Sequence, residues 1–199
     1  MPPPVSPPRR FGLNRRSRIV VALALLVAIV MALPVLLMVT GLLRPFAVPS
    51  EGMRPAISGG DRILVENFTY QRRKPGRGDI VVFKTAGLEL PDDSTYFLKR
   101  VVGEPGDRVR LSDGVLFVND RPTVLSNAAG AIHYVSQPMA KYFAQENVSV
   151  SVPEGKYFVL GDNSPSSLDS RFWGFLPAGN IVGRACFCYS PASRVGPIK

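Results

Sequence analysis

Histidine and cysteine are almost absent from this sequence of 199 residues, which has His133, Cys186 and Cys188 and no others of either type. Two cysteines exclude a disulfide framework and a four-cysteine zinc site. One imidazole argues against any mechanism that needs a pair, and the stretch around it, AAGAIHYVSQ, offers it no acid or thiol neighbour, so a structural or surface histidine is expected. Nothing in the pattern suggests a metal, a cofactor, a nucleotide or a nucleic-acid site. The net charge of +9 does not alter that, because it is unevenly spread: residues 1–18 hold five arginines and no acid, which leaves only +4 for the other 181 residues.

Charge of either sign is missing altogether from residues 19–43, IVVALALLVAIVMALPVLLMVTGLL. At ~1.5 Å per residue this run reaches about 37 Å, enough for a tilted membrane span across a hydrocarbon core of ~30 Å. It is too long and too uniform for a cleaved secretory signal, whose apolar part runs about 7–15 residues, so a retained anchor is expected. Arginines crowd its N-terminal flank and only Arg44 follows it directly, which predicts a cytoplasmic N-terminus and an exported C-terminal part. The expected organisation is a basic, proline-rich tail at 1–18, a transmembrane helix at 19–43 and a β-rich domain at 45–199.

The β expectation rests on short β-branched and aromatic runs punctuated by Gly, Pro, Asp and Asn. Candidate strands are Arg62–Glu66, Ile80–Phe83, Tyr96–Val102, Arg108–Leu111, Val115–Val118, Lys156–Leu160 and Ile181–Cys188. Asp113-Gly114 supplies a hairpin turn and Asn119-Asp120 the next bend. Gly-Asp recurs at 60–61, 78–79, 106–107 and 161–162, read as turn chemistry, with Gly relaxing the backbone and Asp bonding a nearby amide. Strand alternation puts both cysteine thiols on one face. Phe172, Trp173 and Phe175 fit either an aromatic surface at a membrane interface or, more plainly, the core.

Chemistry has to come from three polar segments. Residues 46–61 follow the apolar run. Residues 96–107 set Lys99 in an otherwise apolar strand with Arg100 on the opposite face, so that one of the two cations must turn toward packing. A lysine held in apolar surroundings loses its preference for the charged form and becomes a general base, although a lysine whose stem packs while its ammonium reaches water is the plainer reading. Residues 161–174 are dense in short polar side chains, and Asp169 can pair with Arg171 if that segment is extended.

In this order, after one N-terminal span, these segments resemble bacterial type I signal peptidase, the membrane-bound Ser/Lys endopeptidase family. The resemblance covers nearly the whole chain: PSEGMRP at 49–55, GDRILVENF at 60–68, RGDIVVF at 77–83, FLKRVVGEPGD at 97–107, GDNSPSSLDSRFWG at 161–174 and NIVGRA at 180–185. It implies a strongly bent antiparallel β-sheet domain anchored by one transmembrane helix in the bacterial plasma membrane. It also implies removal of signal peptides from exported preproteins at the outer face, with the lipid membrane and the protein-export machinery as partners. By the same resemblance Lys99 is the general base, Ser167 orients it, Asp169 and Arg171 support Ser167, and the Ser50 hydroxyl helps an oxyanion hole. Phe46, Val48 and Met53 are expected to line shallow pockets for an extended substrate, or to serve the core.

The chain departs from that family where Ser is expected before Met: residue 52 is glycine. Ser164-Pro165 also stands where Arg-Asp is common. Ser50 lies ~6.5 Å from position 52 along an extended strand, whereas reacting atoms must approach within roughly 3–3.5 Å. Beside a sequence altered at residue 52 or a protein outside the family, two readings stand. One is an active peptidase that uses Ser50 or an adapted geometry. The other is an inactive homologue that binds or regulates preproteins, its Gly52 amide still able to donate to an oxyanion.

Overall fold

A computed structural model describes residues 14–90 and 96–198, and the chain divides into two compact units, Met1–Gly41 and Leu42–Lys199. The first carries α1, Arg15–Val39. Asn14 caps it, accepting from Ser17 N at 2.8 Å. At the other end the Thr40 hydroxyl bonds the Leu36 and Leu37 carbonyls, and Gly41 leaves the helix at φ +72°. The helix is thus long and apolar enough to cross a membrane, but it ends before the apolar run does. Leu43, the last residue of that run, already opens the first strand.

The second unit is antiparallel β structure. Its strands are β1 Leu43–Ala47, β2 Arg62–Glu66, β3 Ile80–Lys84, β4 Tyr96–Gly103, β5 Arg108–Ser112, β6 Val115–Val118 and β7 Arg121–Thr123, followed by β8 Ser126–Asn127, β9 Gly130–Ala131, β10 Ser149–Ser151, β11 Lys156–Leu160, β12 Leu176–Pro177, β13 Ile181–Ser190 and β14 Gly196–Pro197. Among the described residues they form an eight-stranded sheet in the order β1-β2-β13-β3-β4-β11-β12, with β14 on β13. A four-stranded sheet, β10-β5-β6-β7, and the small pair β8-β9 complete the unit. The expected mainly β, antiparallel architecture is what forms.

Local chemistry explains the hairpins. Asp113-Gly114 and Asn119-Asp120 all take positive φ, 50° and 76° in the first turn and 52° and 63° in the second. That conformation matches the right-handed twist of the strands on either side. Three of the four Gly-Asp pairs behave as expected. In each, glycine has positive φ and the aspartate accepts from the amide three residues before it: Ser58 N to Asp61, Gly76 N to Asp79 and Glu104 N to Asp107. An arginine then pairs each carboxylate, Arg194, Arg73 and Arg77 respectively.

Three apolar clusters fill the unit. One packs Val109, Leu111 and Leu116 with Tyr134, Phe143 and Phe158; a second packs Val48, Met53, Ile57 and Ile63; the third gathers Phe83, Val101, Tyr157 and Trp173. Trp173 stacks obliquely on Phe83 at 5.8 Å, and Phe175 packs on Tyr142 and Phe158, so these aromatics take the core role. His133 is exposed. The cysteine expectation is corrected: β13 shifts register between Ala185 and Phe187, which makes Cys186 the extra residue of a bulge. Ala185 and Cys188 therefore enter the same core cluster, while half-buried Cys186 bonds the Leu64 carbonyl instead.

Candidate active site

A groove of about 380 Å³ runs between the segment Phe46–Gly52 and the first half of β4. One wall starts on the open edge of β1 and runs on past the strand, and the other is an open edge of β4. β1 ends the eight-stranded sheet, and β11 pairs with β4 only from Arg100 onward, so among the described residues Tyr96–Lys99 pair on one side alone. Ile63 and Val82 also line the groove, as do Ser50, Glu51 and Lys99.

Lys99 is 5% exposed, faces the groove, and has no hydrogen-bond partner among the described residues; its Nζ lies 5.4 Å from the Phe97 ring centre. Burial holds its pKa below the ordinary 10.5; the nearby Asp169 carboxylate opposes that shift and Arg171 adds to it. At least one of the two adjacent cations had to pack, and both do, because β4 is covered on both faces and Arg100 is also buried. Arg100 is neutralised where Lys99 is not: its guanidinium grips Asp162 through two bonds of 2.8 Å and donates to the Gly78 carbonyl.

Gly52 closes the inner end of the groove. A Cβ built there would stand 3.4 Å from Lys99 Nζ and 3.7 Å from Ser167 Oγ. Both separations are ordinary contacts, and Gly52 is not among the positive-φ glycines. Residue 52 therefore accepts a side chain, and that side chain would point at the lysine amine. Ser167 Oγ is buried and has no hydrogen-bond partner among the described residues. Ser50 is exposed on the groove wall.

The far side of the site is saturated with hydrogen bonds. Asp169 caps α2, Ser170–Trp173, and pairs with Arg171 although the segment is helical rather than extended. Arg171, fully buried, also donates to the Val135 and Ser164 carbonyls, to Ser164 Oγ and, at 3.4 Å, to the Ser167 carbonyl. The second Asp169 oxygen accepts from Gly161 N. The next residues reach the groove wall, where Asn163 N donates to the Gly52 carbonyl and Asn163 Nδ2 to that of Glu51, each at 3.1 Å.

The structure thus brings together Lys99, Gly52, Ser167, Asp169 and Arg171, and sets Ser50, Phe46 and Val48 along the groove. Met53 is the correction. Past Ala47 the chain leaves the strand for a series of turns that carries the Met53 side chain into the core, 2% exposed, and it does not line the groove. Sequence reading missed Gly161, whose glycine is demanded by space and not by a turn: a Cβ there would meet Ser167 Oγ at 2.1 Å and the Gly52 carbonyl at 2.4 Å. Ser164, Asn163 and Tyr96 were also missed.

Comparison with known proteins identifies the family. A family model described as signal peptidase, peptidase S26, matches residues 18–190. A Synechocystis protein named "Probable signal peptidase I-2" is 39% identical over 75% of this chain and 64% of its own length. Thylakoidal processing peptidase 1 of Arabidopsis thaliana is 41% identical over 78% of this chain and 44% of its own. The chain thus spans under two thirds of either relative. Signal peptidase I of Leptolyngbya laminosa is 36% identical over 76% of this chain and 70% of its own length. A solved signal peptidase I from Enterococcus faecalis V583 is 30% identical, covers 56% of this chain and 97% of its own, and superposes with a TM-score of 0.42. With a family match that spans nearly every element described above, the chain belongs to the signal peptidase family, peptidase S26.

Proposed function

We propose that this chain binds the signal-peptide end of exported preproteins in the groove between its two open strand edges, and that Gly52 leaves it a receptor that holds the cleavage segment without cutting it. One observation carries the reading: a side chain at residue 52 would meet the Lys99 amine at 3.4 Å, and that side chain is missing.

The peptide enters as an added strand. Main-chain groups along Phe46–Gly52 and Tyr96–Lys99 supply hydrogen bonds, and apolar walls such as Phe46 and Val48 favour small side chains. α1 anchors the chain in the plasma membrane. Arg15, Arg16 and Arg18 hold its N-terminus on the cytoplasmic side, which puts the β unit on the exported side, where signal peptides emerge.

The rest of a Ser/Lys site surrounds the missing hydroxyl. Lys99, whose charged form burial disfavours, is the general base. The unpartnered Ser167 hydroxyl orients its amine, and the Asp169–Arg171 pair fixes Ser167. With serine at 52, Oγ attacks the carbonyl of the junction as Lys99 takes the Oγ proton. That proton then passes to the leaving amine as the peptide bond breaks, and water releases the acyl group. The Gly52 amide and the Ser50 hydroxyl are the donors for the oxyanion.

The test is incubation of the purified chain, in detergent or liposomes, with a preprotein that carries an Ala-x-Ala junction, with binding and product mass both followed. The chain as written is expected to bind without cleavage. Gly52→Ser is expected to cut at the junction, and Gly52→Ser combined with Lys99→Ala to be inert. Cleavage by the chain as written, lost in both Ser50→Ala and Lys99→Ala, would make Ser50 the nucleophile and overturn the receptor reading.

A further inference from the structure

The two open edges of the groove do not stay apart along its whole length. Phe46, from β1, and Tyr96, the first residue of β4, both line the groove, and their rings meet edge to face with centres 5.3 Å apart and planes at 73°. β1 and β4 are not neighbours in the sheet, so this contact joins one wall to the other. Edge-to-face packing at this distance is a favourable aromatic geometry. A peptide strand that continued past this point would have to displace one ring.

The position of the bar along the groove follows from the strand. Tyr96 stands three residues before Lys99 on β4, about 10 Å at ~3.3 Å per residue. A peptide laid with its junction at Gly52 and Lys99 therefore fills about three residues of groove before it meets the rings. Tyr96 keeps 39% of its surface exposed and Phe46 is half-buried, so neither ring is locked in a core.

We propose that the Phe46–Tyr96 pair is a specificity-determining bar that ends the groove, making the chain discriminate against a bulky side chain at the fourth residue before the junction. The proposal rests on the peptide-binding reading above and deepens it. Three residues settle between the edges, and the fourth turns out over the rings. A small residue there passes over the bar. A large one collides with it or forces the pair open, at the overpacking cost that a filled site imposes.

The experiment uses the full chain in detergent micelles and fluorescent synthetic peptides that end in the same Ala-x-Ala sequence and differ only at the fourth residue from the end, Gly, Ala, Leu or Trp. Dissociation constants are read by anisotropy. For the chain as written, the Trp peptide is expected to bind at least about tenfold more weakly than the Ala peptide. In Tyr96→Ala and in Phe46→Ala that ratio is expected to fall below about threefold. Tyr96→Phe, which keeps the ring and loses only the hydroxyl, is expected to keep the discrimination and so separates the bar from a folding defect. Equal binding of Ala and Trp peptides by the chain as written, or an unchanged ratio in both alanine variants, would overturn the bar while leaving peptide binding intact. Failure of all four peptides to bind the chain as written and every variant would overturn the peptide-binding reading itself, and the bar with it.

Discussion

The two sides of the site differ in how completely their polar groups are satisfied. On the side built by Asp169 and Arg171, the charges are buried and matched: both residues are fully buried, and two hydrogen bonds of 2.8 Å join them. On the groove side, Lys99 is also buried yet has no anion in contact among the described residues, Ser167 has no hydrogen-bond partner among them, and residue 52 has no side chain at all. Burial alone does not separate them. A matched charge in a closed site becomes structure, whereas an unmatched one keeps a perturbed affinity for protons that chemistry can use.

Removing one partner from the matched side should do the greatest damage. Arg171→Ala strands a buried Asp169 carboxylate, and a loss of about 3–5 kcal/mol is expected. Trp173, the one tryptophan and buried beside this segment, reports it by fluorescence in urea denaturation. A loss below ~1 kcal/mol would mean that water reaches the pair and that the contrast is false. Gly161→Ala probes the seam between the two sides. Its new Cβ collides with Ser167 and with the Gly52 carbonyl, so a loss of about 1–3 kcal/mol is expected, together with loss of the cleavage that Gly52→Ser gains.

Lys99 sharpens the comparison through pH. Its folded pKa lies below the ordinary 10.5 because burial disfavours the ammonium. Between those two values the unfolded chain binds more protons than the folded one, so the lysine's contribution to stability rises with pH across that window, and the penalty is complete below the folded pKa. Lys99→Met should remove that rise, and urea denaturation from pH 7 to 10 compares the two slopes. In the Gly52→Ser chain, cleavage should rise with pH through the same lowered pKa and level off before 10.5. At the other extreme, Lys141 and Glu89 form an ion pair on exposed side chains. Lys141→Ala should cost at most ~1 kcal/mol, the thermal midpoint being the measure.

Much of this was legible in the sequence because it is periodic or local. The apolar run predicts a helix, short β-branched and aromatic runs predict β2, β6 and β11 with the observed ends, and Asp-Gly predicts its hairpin. β1 was not legible, since Leu43–Ala47 mixes the tail of the apolar run with Arg44 and Pro45 and shows no alternation to read. The thiols were misread because a bulge leaves no mark in a sequence. Sequence left Met53 between groove and core because the direction of a side chain in a turn depends on what the turn packs against.

Sequence by itself determined which groups the chemistry has to draw on: no imidazole pair, one lysine in an apolar strand, a Ser-x-Asp-Ser-Arg cluster, and glycine at residue 52. Tertiary structure alone decided that these lie together. Lys99 and Ser167 are 68 residues apart in the chain and Gly52 lies 47 residues before Lys99, and they converge because antiparallel strands distant in sequence share one sheet whose loop at 161–171 folds back against β4. It also decided which of two adjacent buried cations is neutralised. Asp162 reaches Arg100 on one face of the strand, and among the described residues no anion in contact reaches Lys99 on the other.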